Sequence, residues 1–182
     1  MKKILMTIGL AILIVLLSGC EMFNVNDWTV PQDTEFTQLI SELDTPKKIC
    51  QYMQNFEWNI SIHTYSPYEM YVANLENWND TGDCDDFAAF GMYVANLHGY
   101  TTYRIQFWCK TWWNNIPVLL PHVMTVYVEN DKYTYSSNSH YFPLYTDSFE
   151  AIIDHYEKWE ITIRSIISWK VYDFEGNLIE RG

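Results

Sequence analysis

Apolar residues recur at helical spacing in three stretches of the first hundred positions. Phe36, Leu39, Ile40 and Leu43 follow Asp33-Thr34, and Ile49, Cys50, Met53 and Phe56 follow Thr45-Pro46. Each pattern predicts an amphipathic helix behind a capping residue, the second with the cap-then-proline order that favours a helix start. The third helix is the best specified. Asp83 is placed to cap it and Asp86 lies three positions on; Phe87, Phe90 or Gly91, Val94 and Leu97 line one face, and Gly99 supplies a left-handed stop. From Tyr103 the period falls to two: Tyr103, Ile105, Phe107 and Cys109 alternate with Arg104, Gln106, Trp108 and Lys110, which predicts a strand. His122 to Val128 and Tyr133 to Asn138 read as a hairpin, Ser148 starts a helix through about Lys158, and Ile161 to Phe174 with Leu178 to Glu180 forms a last hairpin around Glu175-Gly176-Asn177. Residues 57–80 and 111–121 show no period and predict loops, the first with short helical turns. Helices precede an antiparallel sheet, which is the α+β class.

The N-terminal segment follows a different logic. Lys2 and Lys3 precede an apolar run from Ile4 to Leu17, and Leu17-Ser18-Gly19-Cys20 closes it. A run of about 14 residues is short for a membrane span, which needs about 20. Residues 1–19 therefore read as a secretory signal, and the small pair before Cys20 resembles a bacterial lipobox, in which that cysteine carries the lipid. The expectation is an exported protein, lipid-anchored through Cys20 in the cell envelope, with residues 20–32 as a tether and 33–182 as one domain.

Charge narrows the partners. The chain carries a formal net charge of −12, and loss of Lys2 and Lys3 with the signal takes it to −14. Such a balance argues against nucleic acid, and against an anionic membrane surface as a direct partner, leaving the lipid anchor as the membrane contact. Without Cys20, three cysteines remain, Cys50, Cys84 and Cys109, which in an oxidising compartment allow at most one bridge. Cys50 and Cys109 fall on apolar faces and read as core.

Cys84 is different, because it stands at the first position of the best-specified helix. The dipole and N–H groups of a helix start stabilise thiolate and suit an oxyanion. A thiol nucleophile needs a base and the base an orienting group; His122 and Asn138 lie downstream at either end of the predicted hairpin. Trp58, Asn59 and Tyr65 are candidates for a second oxyanion donor. His63, His98, His140 and His155 show no supporting pattern, no residue cluster has zinc-like spacing, and nothing calls for a cofactor. Trp108, Trp112, Trp113, Tyr133 and Tyr135 read as packing residues that, near the site, are equally suited to stack on a sugar or line a peptide cleft.

Gly82-Asp83-Cys84-Asp85-Asp86-Phe87-Ala88, followed by Gly99, by His122 heading a strand and by Asn138 ending its partner, resembles the transglutaminase-like superfamily, over roughly Thr45 to Asn138. The resemblance implies a papain-like fold with Cys84 as nucleophile, His122 as acid and base and Asn138 as the orienting third member. The family usually has Asp in that third place, so Asn138 is a departure, one shared with papain-like proteases. The substrates implied are peptide, protein or cell-wall amides, cleaved or transferred; the other class left open is a binding module for peptide or glycan that keeps the fold without chemistry. A geometric condition accompanies the triad. His122 and Asn138 share a face only if the hairpin closes through a three-residue loop, Glu129-Asn130-Asp131; a two-residue Asn130-Asp131 turn sets Asn138 opposite Val123 instead.

Overall fold

The structure is a computed structural model, and it describes residues 32–60, 63–76, 82–113 and 116–182. The signal segment, Cys20 and the tether up to residue 31 lie outside the described residues. Among the described residues no helix is long and apolar enough to cross a membrane.

Among the described residues five helices and six strands follow one another: α1 (Thr34–Glu42), α2 (Pro46–Met53), α3 (Pro67–Leu75), α4 (Cys84–Leu97), β1 (Thr102–Trp113), β2 (Ile116–Glu129), β3 (Lys132–Ser137), β4 (His140–Thr146), α5 (Phe149–Trp159), β5 (Ile163–Asp173) and β6 (Leu178–Arg181). The caps are those the sequence predicts. Asp33 accepts from the backbone N–H groups of Glu35 and Phe36, Thr45 from Lys48, and Ser148 from Ala151. Helix α3 falls where the sequence pattern predicts a loop. Its signal is terminal rather than periodic: Ser66 and Glu69 form a reciprocal capping box around Pro67, and its apolar residues form no stripe because Val72 and Leu75 lie partly or largely outside the core that takes Met70, Tyr71 and Ala73.

The strands order as β4-β3-β2-β1-β5-β6, every neighbouring pair antiparallel. This is an α+β fold with a cysteine-bearing helix packed on an antiparallel sheet. β1 and β2 run much further than periodicity shows, taking in most of residues 111–121. Cross-strand pairing to β5 holds that extension through Thr111, whose hydroxyl also donates to Thr162 O at 2.7 Å. β4 goes unpredicted because Pro143 and mixed exposure break its alternation; it sits at the sheet edge, where a proline removes no needed ladder bond.

Two cores fill the two faces of the sheet. Helices α1 to α4 bury Phe36, Ile49, Met53, Phe87 and Phe90 against one another and against Tyr127 of β2. Helix α5 buries Ile152 and Tyr156 against Ile105, Phe107, Met124 and Tyr135 on the opposite face. Cys50 lies in the first core and Cys109 in the second, each an unbridged buried thiol. Burial pushes Cys50 up to about 12 and also raises Cys109, so neither is reactive.

Helix α4 approaches β2 closely. Thr125 donates its hydroxyl to Ala88 O at 3.1 Å, and a Cβ on Gly91 would lie 2.7 Å from Tyr127 Oη. Tyr127 is itself fully buried and hydrogen-bonded to Ser136 at 3.0 Å, so it has nowhere to go. Gly91→Ala should therefore destabilise the protein by about 1–3 kcal/mol, the usual cost of overpacking, as read from the midpoint of urea denaturation at unchanged slope.

Candidate active site at the start of helix α4

The turn into α4 is built around one carboxylate. Asp86 is fully buried; its Oδ2 accepts from Asp83 N at 2.8 Å and its Oδ1 from Tyr65 N at 2.6 Å. Asp83 caps the helix and accepts from Asp85 N at 3.3 Å, while Asp85 accepts from Asp86 N at 3.1 Å. The three acids bring carboxylate oxygens within 4.8 Å of one another, and these backbone bonds are the reason: the group is the helix start itself. Gly82 precedes it with φ +118, and a Cβ there would strike the Asp86 carboxylate, so only glycine fits. Cys84 emerges at the first helical position, partly exposed, where the other two described cysteines are buried.

The proposed oxyanion donors fare differently. Asn59 N donates to Gly82 O at 3.1 Å and Tyr65 N to Asp86, so both backbone N–H groups hold the turn together rather than facing a substrate. Trp58 is half exposed.

His122 projects to the α5 side of the sheet. Its ring stacks on Tyr156 at 5.5 Å and 8° and meets the edge of Phe107 at 5.3 Å. Nε2 lies 2.8 Å from Ser137 Oγ, and Ser137 donates to Tyr156 Oη at 3.3 Å. A serine hydroxyl has one proton; given to Tyr156, it leaves Ser137 as acceptor from His122 Nε2–H, so the basic lone pair is on Nδ1. Burial lowers the His122 pKa to about 4, against the raising pull of Glu160 and Asp83, and the ring is neutral at neutral pH. Burial likewise holds the Tyr156 phenol above its ordinary range, with the Ser137 bond opposing and the charges of Glu160, Cys109 and Cys84 adding to it. The helix start thus reaches the stack electrostatically, Asp83 acting on His122 and Cys84 on Tyr156. The hydrogen bond made by the ring goes to Ser137, not to Cys84.

The hairpin condition resolves against Asn138. Glu129 pairs with Lys132 and Met124 with Ser137, so the loop is the two-residue Asn130-Asp131 turn. Both residues are left-handed, φ 55 and 60, the turn geometry that matches strand twist without an extra residue. That register puts Ser137 diagonally across from His122 on the same face. Asn138 follows the end of β3 with φ 48, its Oδ1 buried without a hydrogen-bond partner. Ser137, not Asn138, orients the imidazole. Sequence reasoning missed Ser137 and Tyr156; the Asn-Asp pair, read as a primed turn, was the signal for the first, and nothing local marks the second.

The remaining histidines are structural or exposed. His98 Nε2 meets Ile40 O at 2.9 Å, His155 Nδ1 meets Tyr135 Oη at 2.7 Å, His140 packs on Trp159, and His63 lies exposed beside Glu69.

Because folded His122 titrates near 4 and an unfolded histidine near 6.5, both forms are neutral above pH 6.5 and the residue is then silent. Between pH 6.5 and 4 only the unfolded chain takes the proton, so stability falls with pH by up to about 3 kcal/mol from this group. The difference in unfolding free energy between wild type and His122→Gln should change across that window and be flat above it. No protein-family model matches this sequence, and no characterised protein matches it significantly.

Proposed function

We propose that the chain is a thiol-dependent hydrolase or acyl transferase of papain-like, transglutaminase-like architecture, acting on peptide or cell-wall amides and exported on a lipid carried by Cys20. The observation that carries this reading is a partly exposed thiol on a capped helix start that lies within electrostatic reach of a neutral imidazole; the imidazole stands on β2, the strand this helix packs against, and is braced by Ser137. In this scheme His122 acts as a general base rather than as half of a resting ion pair. The Cys84 S–H proton passes to Nδ1 as sulfur attacks the carbonyl carbon, and the oxygen of the tetrahedral intermediate takes up the negative charge near the helix dipole. Nδ1–H then protonates the departing amine, and water or a second amine releases the acyl group from sulfur. Ser137 and Tyr156 keep Nε2–H engaged throughout, fixing ring and tautomer. A serine adds no charge to the developing imidazolium; Glu160 and Asp83 supply the negative field from outside hydrogen-bond range.

A second reading has its own support. The imidazole hydrogen-bonds Ser137 instead of the thiol, and Asn138 Oδ1 is left without a partner, as befits a binding module for peptide or glycan that retains the framework without the chemistry.

Alkylation by iodoacetamide across a pH series, mapped by peptide mass, separates the two. The enzyme reading expects Cys84 labelling well below pH 8 that drops at least tenfold in His122→Ala, and that weakens on acidification near pH 4, where the base is lost, rather than near 6.5. Labelling that rises only near pH 8–9, as for an ordinary thiol, and ignores the substitution supports the binding module. Ser137→Ala should leave labelling detectable but shift its acid limb, because it frees the ring to change tautomer.

A further inference from the structure

A cavity of about 370 Å³ lies at the far end of α4, between the last turn of that helix, the first residues of β1 and the β5–β6 turn. Its size is that of small-molecule sites. Helix α4 has 14 residues, which sets the cavity about 20 Å from Cys84 along the helix axis. The groups that give it character favour positive charge. The carbonyl end of α4 meets it at Asn96 and Gly99, and no basic residue stands in the last turn to offset that end. Asp173 and Glu175 add carboxylates, while Tyr100, Tyr103 and Phe174 add aromatic rings. Among the described residues that line it there is no lysine, arginine or histidine. The lysines of adjoining elements are engaged by acids, Lys48 by Asp44 at 2.9 Å and Lys132 by Asp147 at 2.5 Å. Arg104, two residues along β1 from Thr102, lies 5.0 Å over the Tyr172 ring.

Thr102 supplies an independent observation. It lines the cavity, is only 2% exposed, and its Oγ1 has no hydrogen-bond partner, a costly state for a buried hydroxyl. The opposite wall is preformed. Asp173 Oδ1 accepts from Asn177 N at 2.7 Å and Oδ2 from Asn177 Nδ2 at 2.9 Å, which holds the turn that carries Glu175. We propose that this cavity binds the primary ammonium group of an organic amine. The ammonium brings three donors and one charge to the Thr102 hydroxyl, the carboxylates and the helix end, and its alkyl stem lies against the aromatic rings and Ile179. A hard metal ion fits less well, because it needs about six close oxygens and here rings and Ile179 take up much of the wall. A neutral polyol gains nothing from the charge. The inference is independent of the chemistry assigned to Cys84.

Titration of the full, isotope-labelled chain followed by amide chemical shifts tests it. The probes are pentylammonium and pentanol, which share a stem and differ in charge, and the amides read are those of Asn96, Thr101 and Glu175. The proposal expects saturable shifts with the amine at millimolar concentration, the range for so small a ligand, and a response to pentanol weaker by about tenfold. Glu175→Gln should weaken amine binding by about threefold. Thr102→Val should weaken it by about fivefold, and the fold tolerates this change because it removes only an unsatisfied hydroxyl. Equal responses to amine and alcohol overturn the proposal, leaving an apolar hollow without selectivity. Unchanged affinity in both variants, or no shift at these amides, overturns it too. Shifts confined to Glu175 that ignore Thr102→Val reduce it to surface ion pairing and likewise overturn it.

Discussion

Everything around the candidate site hangs on the buried carboxylate of Asp86. Its two oxygens accept one N–H from the helix entrance and one from the segment before α3, at 2.8 and 2.6 Å. A buried carboxylate is costly unless donors meet it, and these two are backbone N–H groups, so the loop around Tyr65 and the first turn of α4 share one anchor. The glycine before the helix is required by the same carboxylate, whose position a Cβ would invade. The cysteine's place is thereby set by its neighbours in the turn. Three aspartates stand around the thiol because they frame the turn that carries it.

The electrostatics of the site run against the usual picture of a thiolate facing an imidazolium. His122 lies between two aromatic rings, and its neutral form is favoured by burial more strongly than the charged form is by two carboxylates at a distance. The hydroxyl pair of Ser137 and Tyr156 provides direction without charge. An imidazole held in this way is neutral at rest and becomes charged only when a proton is delivered to it.

What was legible in the sequence, and what was not, divides along physical lines. Helix starts were readable because their determinants are local: Asp33, Thr45, Asp83 and Ser148 each sit within three residues of the N–H they cap. The face of β1 that meets α5 was readable from its alternation. Helix α3 escaped because apolar side chains such as Leu75 also fall on its exposed side and erase the period, leaving only the capping box to mark it. The extension of β1 and β2 escaped because it depends on pairing with β5, a partner far along the chain. At the candidate site, the places of Cys84 at a helix start and His122 on a strand were readable from residue type and position, whereas the hydrogen-bond partner of the imidazole hinged on one question of turn length. A shift of a single residue exchanges Asn138 for Ser137 because side chains alternate along a strand.

The place of β1 at the middle of the sheet also governs when the molecule can form. Its partner β2 follows at once, but its other partner, β5, lies roughly fifty to seventy positions later, and contacts at such separations form slowly. For a chain emerging from its N-terminus, the helical core and the β1–β2 hairpin can assemble while the last third is still unavailable. Until α5 and β5 arrive, one edge of β1 and the aromatic face holding Phe107 and His122 stand bare, a template for pairing with another chain. The imidazole slot is closed only by the final third of the protein, so a chain cut short before α5 would carry the cysteine turn and lack the Tyr156 ring that stacks on His122.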